Sequence, residues 1–154
     1  MARNYRVEAL APDQVLIAYP LVTAAFPAVG VRQWQDYAAG MAAAAAESGV
    51  LGLRSAAGYF CGLLIYRNDR GPWHEPRLDV DLFVALDLID TRTATTALIG
   101  AAEDKAAALG CTRVFVRLDG GPDSIRTQLR GAGYRPADGV VAKSLAVSAT
   151  TRPN

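Results

Sequence analysis

Residues 77–118 constrain the fold more than any other part of the sequence. Residues 77–86 have the pattern of a strand, 91–109 that of a long helix and 112–118 that of a second strand. Within the helix, apolar side chains recur every three or four residues and form one buried face. Two strands joined only by a crossover helix pair in parallel. This unit therefore predicts an α/β protein in which part of the sheet is parallel.

The remaining segments predict further strands and two further helical regions before residue 77. Residues 5–10 have the pattern of a strand, and Pro12 and Asp13 open a helix. Pro20 splits this helix near Tyr19, because proline removes a helix hydrogen bond. The other predicted elements are a helix over 31–47 with a core-facing stripe of Trp34, Tyr37, Met41 and Ala45 and with Gly49 as its stop, strands over 50–54 and 59–67, a short helix from Asp123 or Ser124 to 132, and a strand over 140–147.

The composition fits one globular domain and removes support from several classes of function. The 154 residues contain no repeat or linker, so 1–148 is predicted to be one domain and 149–154 a loose C-terminal tail. A net charge of +1 without a run of Lys or Arg offers little attraction to nucleic acid. Cys61 and Cys111 are expected to be buried free thiols, and with His74 as the only histidine no metal site is expected. No signal peptide or membrane span is evident, so a cytoplasmic protein without a membrane partner is expected.

The strand over 77–86 carries two carboxylates on one face. Strict alternation places Leu78, Val80 and Leu82 on one side of the sheet and Asp79, Asp81 and Phe83 on the other. Two like charges on one face raise a carboxyl pKa, which suits a general base. Asp79 and Asp81 are therefore the candidate catalytic residues. The alternative is the solvated polar face of a half-exposed sheet.

Three short motifs lie on the later elements. Residues 97–103 read Ala-Leu-Ile-Gly-Ala-Ala-Glu, 109–111 read Leu-Gly-Cys, and 129–134 read Leu-Arg-Gly-Ala-Gly-Tyr. They are similar to the third helix, its exit, and the late helix with a final glycine–aromatic pair in the GNAT superfamily of acyl-CoA-dependent N-acyltransferases. The resemblance covers nearly the whole chain in order. It implies a mixed central sheet of about six to seven strands with helices on both faces.

The resemblance also implies where an acyl-CoA cosubstrate, acetyl-CoA or a related thioester, would bind. In that family the diphosphate lies on amides where a loop enters the third helix, and amides of the fourth strand polarise the thioester carbonyl. The cofactor-binding residues implied here are Phe83, Val84, Ala85, Arg92, Thr93, Ala94, Thr95, Thr96 and Ala97. The resemblance implies no metal.

The phosphate loop departs from the family pattern of Arg/Gln-x-x-Gly-x-Gly/Ala. Aligned on arginine, the pattern falls on Arg92, Thr95 and Ala97. Aligned on the helix, Thr93 and Thr95 take the glycine positions and Asp90 the basic position. Glycine matters there because it lets the backbone approach a phosphate closely, and Asp90 would repel one. The alternative is an ordinary capped helix start.

The group that protonates the leaving thiolate is altered as well. Leu129 stands at the family's tyrosine position in the late helix, and Pro122 stands where the family often has asparagine. Tyr134 matches a packing aromatic and is expected in the core. Water or another tyrosine, Tyr59 or Tyr66, is then left to protonate the thiolate.

Two functions stay open from the sequence. The first is transfer of an acetyl or other acyl group to an amine of a small molecule or a protein, with Asp79 and Asp81 favouring a cationic acceptor. The second is a degenerate GNAT-like module that binds a ligand or partner without catalysis. His74 and Trp73 precede the strand of the two aspartates and either contribute to an acceptor pocket or form an exposed loop. Strand edges and the alanine-rich helix allow a homodimer.

Overall fold

The computed structural model describes residues 5–44, 46–87, 89–118, 123–137 and 140–145. Its strands are β1 (Arg6–Ala9), β2 (Ser48–Arg54), β3 (Phe60–Asp69), β4 (Arg77–Ala85), β5 (Arg113–Arg117), β6 (Arg135–Ala137) and β7 (Val140–Ser144). They form one mixed seven-stranded sheet in the order β1-β2-β3-β4-β5-β7-β6. Helices lie on both faces, which confirms the predicted α/β class. The predicted tail at 149–154 and Pro122 lie outside the described residues.

One face of the sheet is covered by a 3₁₀ helix (Pro12–Ala18), α1 (Tyr19–Ala25) and α2 (Val31–Ala43). The helix type changes at Tyr19, next to Pro20, as the sequence predicts. The indole Nε1 of Trp34 donates to the Val15 carbonyl oxygen at 2.8 Å and so holds α2 against the 3₁₀ helix. The apolar side chains of this layer pack against Val50, Leu63, Ile65 and Val84 of the sheet.

α2 ends at Ala43 rather than at the predicted residue 47, and Gly49 belongs to β2 rather than to a helix stop. The amides of Glu47 and Ser48 both donate to the Ala44 carbonyl oxygen, which turns the chain directly into β2. Gly49 lies against the Tyr66 ring, and a Cβ at this position would be 2.5 Å from Tyr66 Oη. The glycine is therefore needed for a close approach inside the sheet.

The opposite face is covered by α3 (Thr91–Ala108) and α4 (Asp123–Gly131). The predicted helical stripe of α3 packs on β3, β4 and β5 through Ala94, Leu98, Ala102 and Ala106. Gly110 follows α3 with a φ of +76° and ends the helix in the predicted C′ position. Cys61, Cys111 and Tyr134 are buried, as expected.

β4 is the central strand of the sheet, and its side chains contact the helices on both faces. It pairs in parallel with β5, which confirms the crossover unit, and antiparallel with β3. The register with β3 slips between Ile65 and Tyr66, so Asp81 is the extra residue of a β-bulge. The predicted alternation is therefore wrong beyond Asp81. Leu82 packs with the α1 and α2 layer, and Phe83 packs with the α3 and α4 layer.

The short strand β6 was not predicted, because the sequence analysis assigns no element between the helix that ends at residue 132 and the strand over 140–147. β6 pairs antiparallel with β7 through Arg135, Pro136 and Ala137. Three residues are too few to display an alternating pattern in the sequence.

Candidate functional site

β4 and β5 part halfway along β4. Their last paired residues are Val80 and Val116, whereas β4 continues to Ala85. A cavity of about 420 Å³ lies where the strands separate, and we call it the gap cavity. Its lining comes from both sides of the sheet: Val22, Phe26, Val29, Gln33, Trp34, Tyr37, Asp81, Leu82, Phe83, Arg117, Leu118 and Ile125. A ligand in it can therefore be reached from both faces.

Two backbone amides of β4 face the side from which β5 has parted. The Leu86 amide donates to the Cys61 carbonyl oxygen at 2.8 Å, so the hydrogen-bonding groups of Leu86 face β3. In an antiparallel ladder every second residue does so. Counting back along β4 from Leu86, the N–H groups of Val84 and Leu82 also face β3. The N–H groups of Phe83 and Ala85 therefore face away from β3, toward the side from which β5 has parted. N–H groups in this arrangement can stabilise a carbonyl oxygen that gains negative charge.

Polar side chains reach the gap cavity from three elements. Asp81 accepts from Arg67 Nε at 2.6 Å and from Arg67 Nη2 at 3.1 Å, a bidentate pair. Tyr37, from α2, is 48% exposed, and burial together with the charge of Asp81 raises the pKa of its phenol. Arg117, the last residue of β5, also lines the gap cavity. The sequence analysis missed Tyr37 as a site residue because its helical spacing placed it in the core stripe.

A second cavity of about 340 Å³, the charged cavity, adjoins the first on the face of the two aspartates. It shares Asp81 and Arg117 with the gap cavity and is otherwise lined by Arg67, Arg77, Asp79, Val80, Phe115 and Val140. Asp79 is 8% exposed and lies 3.1 Å from Arg77 Nε and 3.7 Å from Arg67 Nη2. Burial raises the pKa of Asp79, while the two guanidinium groups act in the opposite direction. Of the two candidate bases, Asp81 lines the gap cavity and Asp79 does not.

A third cavity of about 760 Å³, the helix cavity, lies between α3 and α4. Of the residues implied for cofactor binding, Arg92, Thr95 and Thr96 line it, together with Thr91, Ile99, Ser124, Thr127, Gln128, Gly131 and Ala132. Gln128 Nε2 donates to the Arg92 carbonyl oxygen at 2.7 Å and to Thr96 Oγ1 at 2.8 Å, so α4 is fastened to the first turns of α3. Ala94 is buried against the sheet and Ala97 packs beside the core.

The first turn of α3 is capped by a carboxylate of the chain itself. Asp90 is the N-cap residue, and its side chain accepts from the Thr93 amide at 3.1 Å and from Thr93 Oγ1. The helix dipole stabilises a negative charge at this place, which is also where an anionic ligand would bind. Thr93, implied for phosphate binding, therefore uses its amide and hydroxyl on Asp90.

A second carboxylate, Asp87, lies in the same loop. It is buried and accepts from Tyr5 Oη at 2.6 Å and from Tyr59 Oη at 2.7 Å. Tyr59 is thus engaged with Asp87, and Tyr66 is buried beside Gly49. Neither tyrosine proposed from the sequence as proton donor lines the gap cavity.

The loop residues singled out before β4 lie apart from these cavities. Trp73 is 88% exposed, and His74 Nε2 lies 3.4 Å from Asp69 Oδ2. Neither residue lines the gap cavity or the charged cavity. Within the described ranges no three His, Cys, Asp or Glu side chains are grouped to hold a metal ion. The helices in this part of the chain are too short or too polar to cross a bilayer.

Comparison by sequence matches no family model and no curated protein. Comparison by structure matches solved N-acetyltransferases over almost their whole length. The ribosomal-protein-alanine N-acetyltransferase from Brucella melitensis biovar Abortus 2308 aligns with a TM-score of 0.69 at 20% identity, over 88% of this chain and 94% of that one. A GNAT family acetyltransferase from Elizabethkingia anophelis with acetyl-CoA bound aligns with a TM-score of 0.66 at 11% identity, over 92% and 99%. The PaiA N-acetyltransferase from Thermoplasma acidophilum in complex with coenzyme A aligns with a TM-score of 0.67 at 8% identity, over 92% of this chain and 99% of that one.

The chain has the GNAT fold. Within this GNAT fold, Leu129 is fully buried in the core, so the family's tyrosine position supplies no hydroxyl to the gap cavity. Arg67 and Arg117 are further site residues that the sequence analysis did not identify. The signal for Arg117 was present, because Arg113, Phe115 and Arg117 alternate with the buried Val114 and Val116.

Proposed function

We propose that the protein is an acyl-CoA-dependent N-acyltransferase that transfers an acetyl or other acyl group to an amine in the gap cavity. The observation that carries this proposal is the parting of β4 from β5, with the amides of Phe83 and Ala85 directed into the gap. Solved N-acetyltransferases with the same fold support this class of reaction, and several of them hold coenzyme A or acetyl-CoA.

The described residues fit the thioester arm of acyl-CoA, but the start of α3 does not fit its diphosphate. The gap cavity is lined mainly by apolar side chains and has the size of a small-molecule site, which suits an acylated thioester arm. The start of α3 does not fit a diphosphate, because Asp90 occupies the Thr93 amide and adds a negative charge. We therefore assign the nucleotide half to the helix cavity, where Arg92 and the hydroxyls of Ser124 and Thr127 on α4 replace the usual helix amides.

Acyl-CoA supplies the acyl group and a thiolate leaving group. The amides of Phe83 and Ala85 are assigned to the acyl carbonyl oxygen, whose charge grows when the amine attacks. Asp81 is assigned as the base that accepts the amine proton, directly or through one water. Its bidentate pair with Arg67 fixes the carboxylate at the edge of the cavity.

Tyr37 is the tyrosine of the gap cavity, but it is a poor acid for a thiolate. Its phenol pKa is raised above the usual value of about 10, whereas a thiol has a pKa of about 8.5. Proton transfer from Tyr37 to a thiolate is therefore uphill. We assign Tyr37 to positioning the acceptor or a water by hydrogen bonding. The proton that Asp81 takes from the amine passes through water to the thiolate, so the reaction needs no separate acid.

Thermal unfolding with acetyl-CoA, followed by a thiol-release assay with a panel of amines, tests the proposal. Ligand at 100 times its dissociation constant stabilises a protein by about 2.7 kcal/mol, which for a chain of this size raises Tm by about 5 to 11 °C. We expect this shift and thiol release that depends on an amine. Absence of both at millimolar acetyl-CoA would refute the proposal.

One observation favours a second function, a GNAT-like module that binds a ligand without catalysis. Asp90 and Asp87 place two carboxylates in the loop where the family binds a diphosphate. If this second function is correct, acetyl-CoA produces no thiol release with any amine, even where a Tm shift is seen.

A further inference from the structure

We propose that the acceptor is a primary amine on an uncharged apolar body, an alkyl or arylalkyl group that packs against the α1 and α2 side of the gap cavity. This inference rests on the proposed function, because it names the class of amine that the same site uses. It replaces the cationic acceptor that Asp79 and Asp81 suggest when the sequence is considered alone. Arg77 Nε lies 3.1 Å from Asp79 and Arg67 Nε lies 2.6 Å from Asp81, so guanidinium groups already match both carboxylates.

Two walls from opposite layers of the fold line the gap cavity. On one side, Phe83, Leu118 and Ile125 belong to the core under α3 and α4, and the helix cavity assigned to the nucleotide half lies in that layer too. The thioester arm therefore enters from this side and leaves the other side to the acceptor amine. That side, which we call the α1–α2 wall, consists of four residues packed in the α1 and α2 layer: Val22, Phe26, Val29 and Trp34.

The polar groups of the α1–α2 wall are used inside the protein. The Phe26 amide donates to the Val22 carbonyl oxygen at 2.7 Å, and the Val29 amide donates to the Phe26 carbonyl oxygen at 3.1 Å. The Val29 carbonyl oxygen accepts from Tyr19 Oη at 2.7 Å. The indole Nε1 of Trp34, the polar atom of that side chain, donates to a carbonyl oxygen of the 3₁₀ helix at 2.8 Å. The wall therefore presents hydrocarbon to the cavity.

The chemistry of the α1–α2 wall selects an apolar group. A polar or charged group placed against it loses its water and gains no hydrogen bond from the wall in return, which disfavours binding. An apolar group gains about fourfold in affinity for each CH₂ that it buries, and the rings of Phe26 and Trp34 also suit an aromatic group. Asp81 lies where the gap cavity meets the charged cavity, which the wall residues do not line. The amine nitrogen therefore meets Asp81 while its apolar body extends along the wall.

Three amines of equal length, each used with acetyl-CoA, test the inference: hexylamine, 5-aminopentan-1-ol and 1,5-diaminopentane, which end in a methyl group, a hydroxyl group and a second ammonium group. We expect kcat/KM to be at least about tenfold higher for hexylamine than for the other two. From ethylamine through butylamine to hexylamine, kcat/KM should rise about fourfold for each CH₂ until the cavity is filled. Equal use of the three amines of equal length, or preference for the diamine, would overturn the inference.

A substitution in the wall tests whether the preference arises there. Val29→Thr keeps nearly the same volume but places a hydroxyl group against the acceptor body, so it should lower kcat/KM for hexylamine at least about fivefold. The loss for 5-aminopentan-1-ol should be much smaller, and the KM for acetyl-CoA should not change. Val31→Thr, at the start of α2 and 51% exposed, is the matched control and should alter none of these values. An equal loss for both amines in Val29→Thr would contradict a wall that selects apolar groups.

A binding measurement without acyl-CoA separates this inference from the proposed function. The chain has two tryptophans, and Trp73→Phe removes the one that is 88% exposed, so the remaining emission reports on Trp34 of the α1–α2 wall. N-hexylacetamide should change this emission in a saturable way and bind at least about tenfold more tightly than N-(5-hydroxypentyl)acetamide. Absence of thiol release with every amine, together with this preference in binding, would refute the proposed function and still support an apolar ligand at the wall.

The acyl group is the other occupant that the test distinguishes. Replacing acetyl-CoA by hexanoyl-CoA should lower kcat/KM for hexylamine, because both chains then compete for one cavity of about 420 Å³. A higher kcat/KM with hexanoyl-CoA, together with equal use of the three amines, would assign the wall to the acyl chain and overturn the inference. Equal binding of the two acetylated compounds would overturn it as well.

Discussion

Replacing Asp90 by asparagine is expected to tighten the binding of coenzyme A. The Asp90 carboxylate accepts from the Thr93 amide at 3.1 Å and so lies next to Thr91 and Arg92, which line the helix cavity assigned to the nucleotide half. Asparagine retains an oxygen for this amide and is as good an N-cap residue as aspartate. The substitution therefore removes the negative charge and keeps the cap.

The size of the effect follows from Coulomb's law. Two unit charges about 5 Å apart repel by about 0.8 kcal/mol in water and by about 3 kcal/mol at the lower effective dielectric constant of a protein surface. A phosphate bound in the helix cavity near the first turn of α3 should therefore gain about 4- to 140-fold in affinity at low salt. The gain should shrink in 0.5 M salt, where screening reduces exposed charge interactions. Loss of the favourable charge at the helix start should lower the free energy of unfolding by no more than about 1 kcal/mol.

Isothermal titration calorimetry of coenzyme A with wild type and Asp90→Asn at two salt concentrations measures this effect. Asp104→Asn is the matched control, since Asp104 is exposed on the later turns of the same helix. An unchanged or weaker affinity in Asp90→Asn, with the fold intact, would show that no phosphate lies near the start of α3. An equal gain in both variants would show a general charge effect and not a local one.

Three further predictions follow from the site and the core. Arg92→Ala should weaken coenzyme A binding by about tenfold or more, because a charged hydrogen bond is lost, and Arg130→Ala should not; equal Kd values for the wild type and Arg92→Ala would rule out the assigned role. Asp81→Asn should lower kcat by about 100-fold or more without changing the Kd for acetyl-CoA, and an unchanged kcat in rapid kinetics would exclude Asp81 as the base. Burial raises the pKa of the Cys61 thiol to about 11, so in a Cys111→Ser background at pH 8 iodoacetamide should alkylate the native protein at least about 100-fold more slowly than the unfolded one, and comparable rates would contradict a buried Cys61.

Apart from β6, the sequence predicted the order of the elements, because the longer strands and helices have clear periods. The crossover unit, the split at Tyr19 and the end of α3 at Gly110 each depend on local chemistry that one sequence displays. Features set by contacts between distant residues were not predictable. Gly49 shows this, since its place under the Tyr66 ring depends on how β2 pairs with β3.

The candidate site was predictable only in part for the same reason. Asp81 was identified from its alternation with apolar residues, but its position in a β-bulge depends on the register with β3. That bulge reverses the faces of Leu82 and Phe83 and brings the Phe83 side chain to the other layer. Tyr37 joins the cavity because it lies one helical turn after Gln33 and Trp34, which also line it, whereas the neighbouring Ala38 is buried in the core.

The central claim is that the gap between β4 and β5 binds the thioester arm on the amides of Phe83 and Ala85. Titration of ¹⁵N-labelled protein with acetyl-CoA, followed by the amide resonances of these two residues, tests this claim directly. The account predicts that both amides shift downfield in a saturable way, whereas the amide of Val84, which faces β3, shifts much less. Saturating acetyl-CoA that leaves Phe83 and Ala85 unmoved would contradict it.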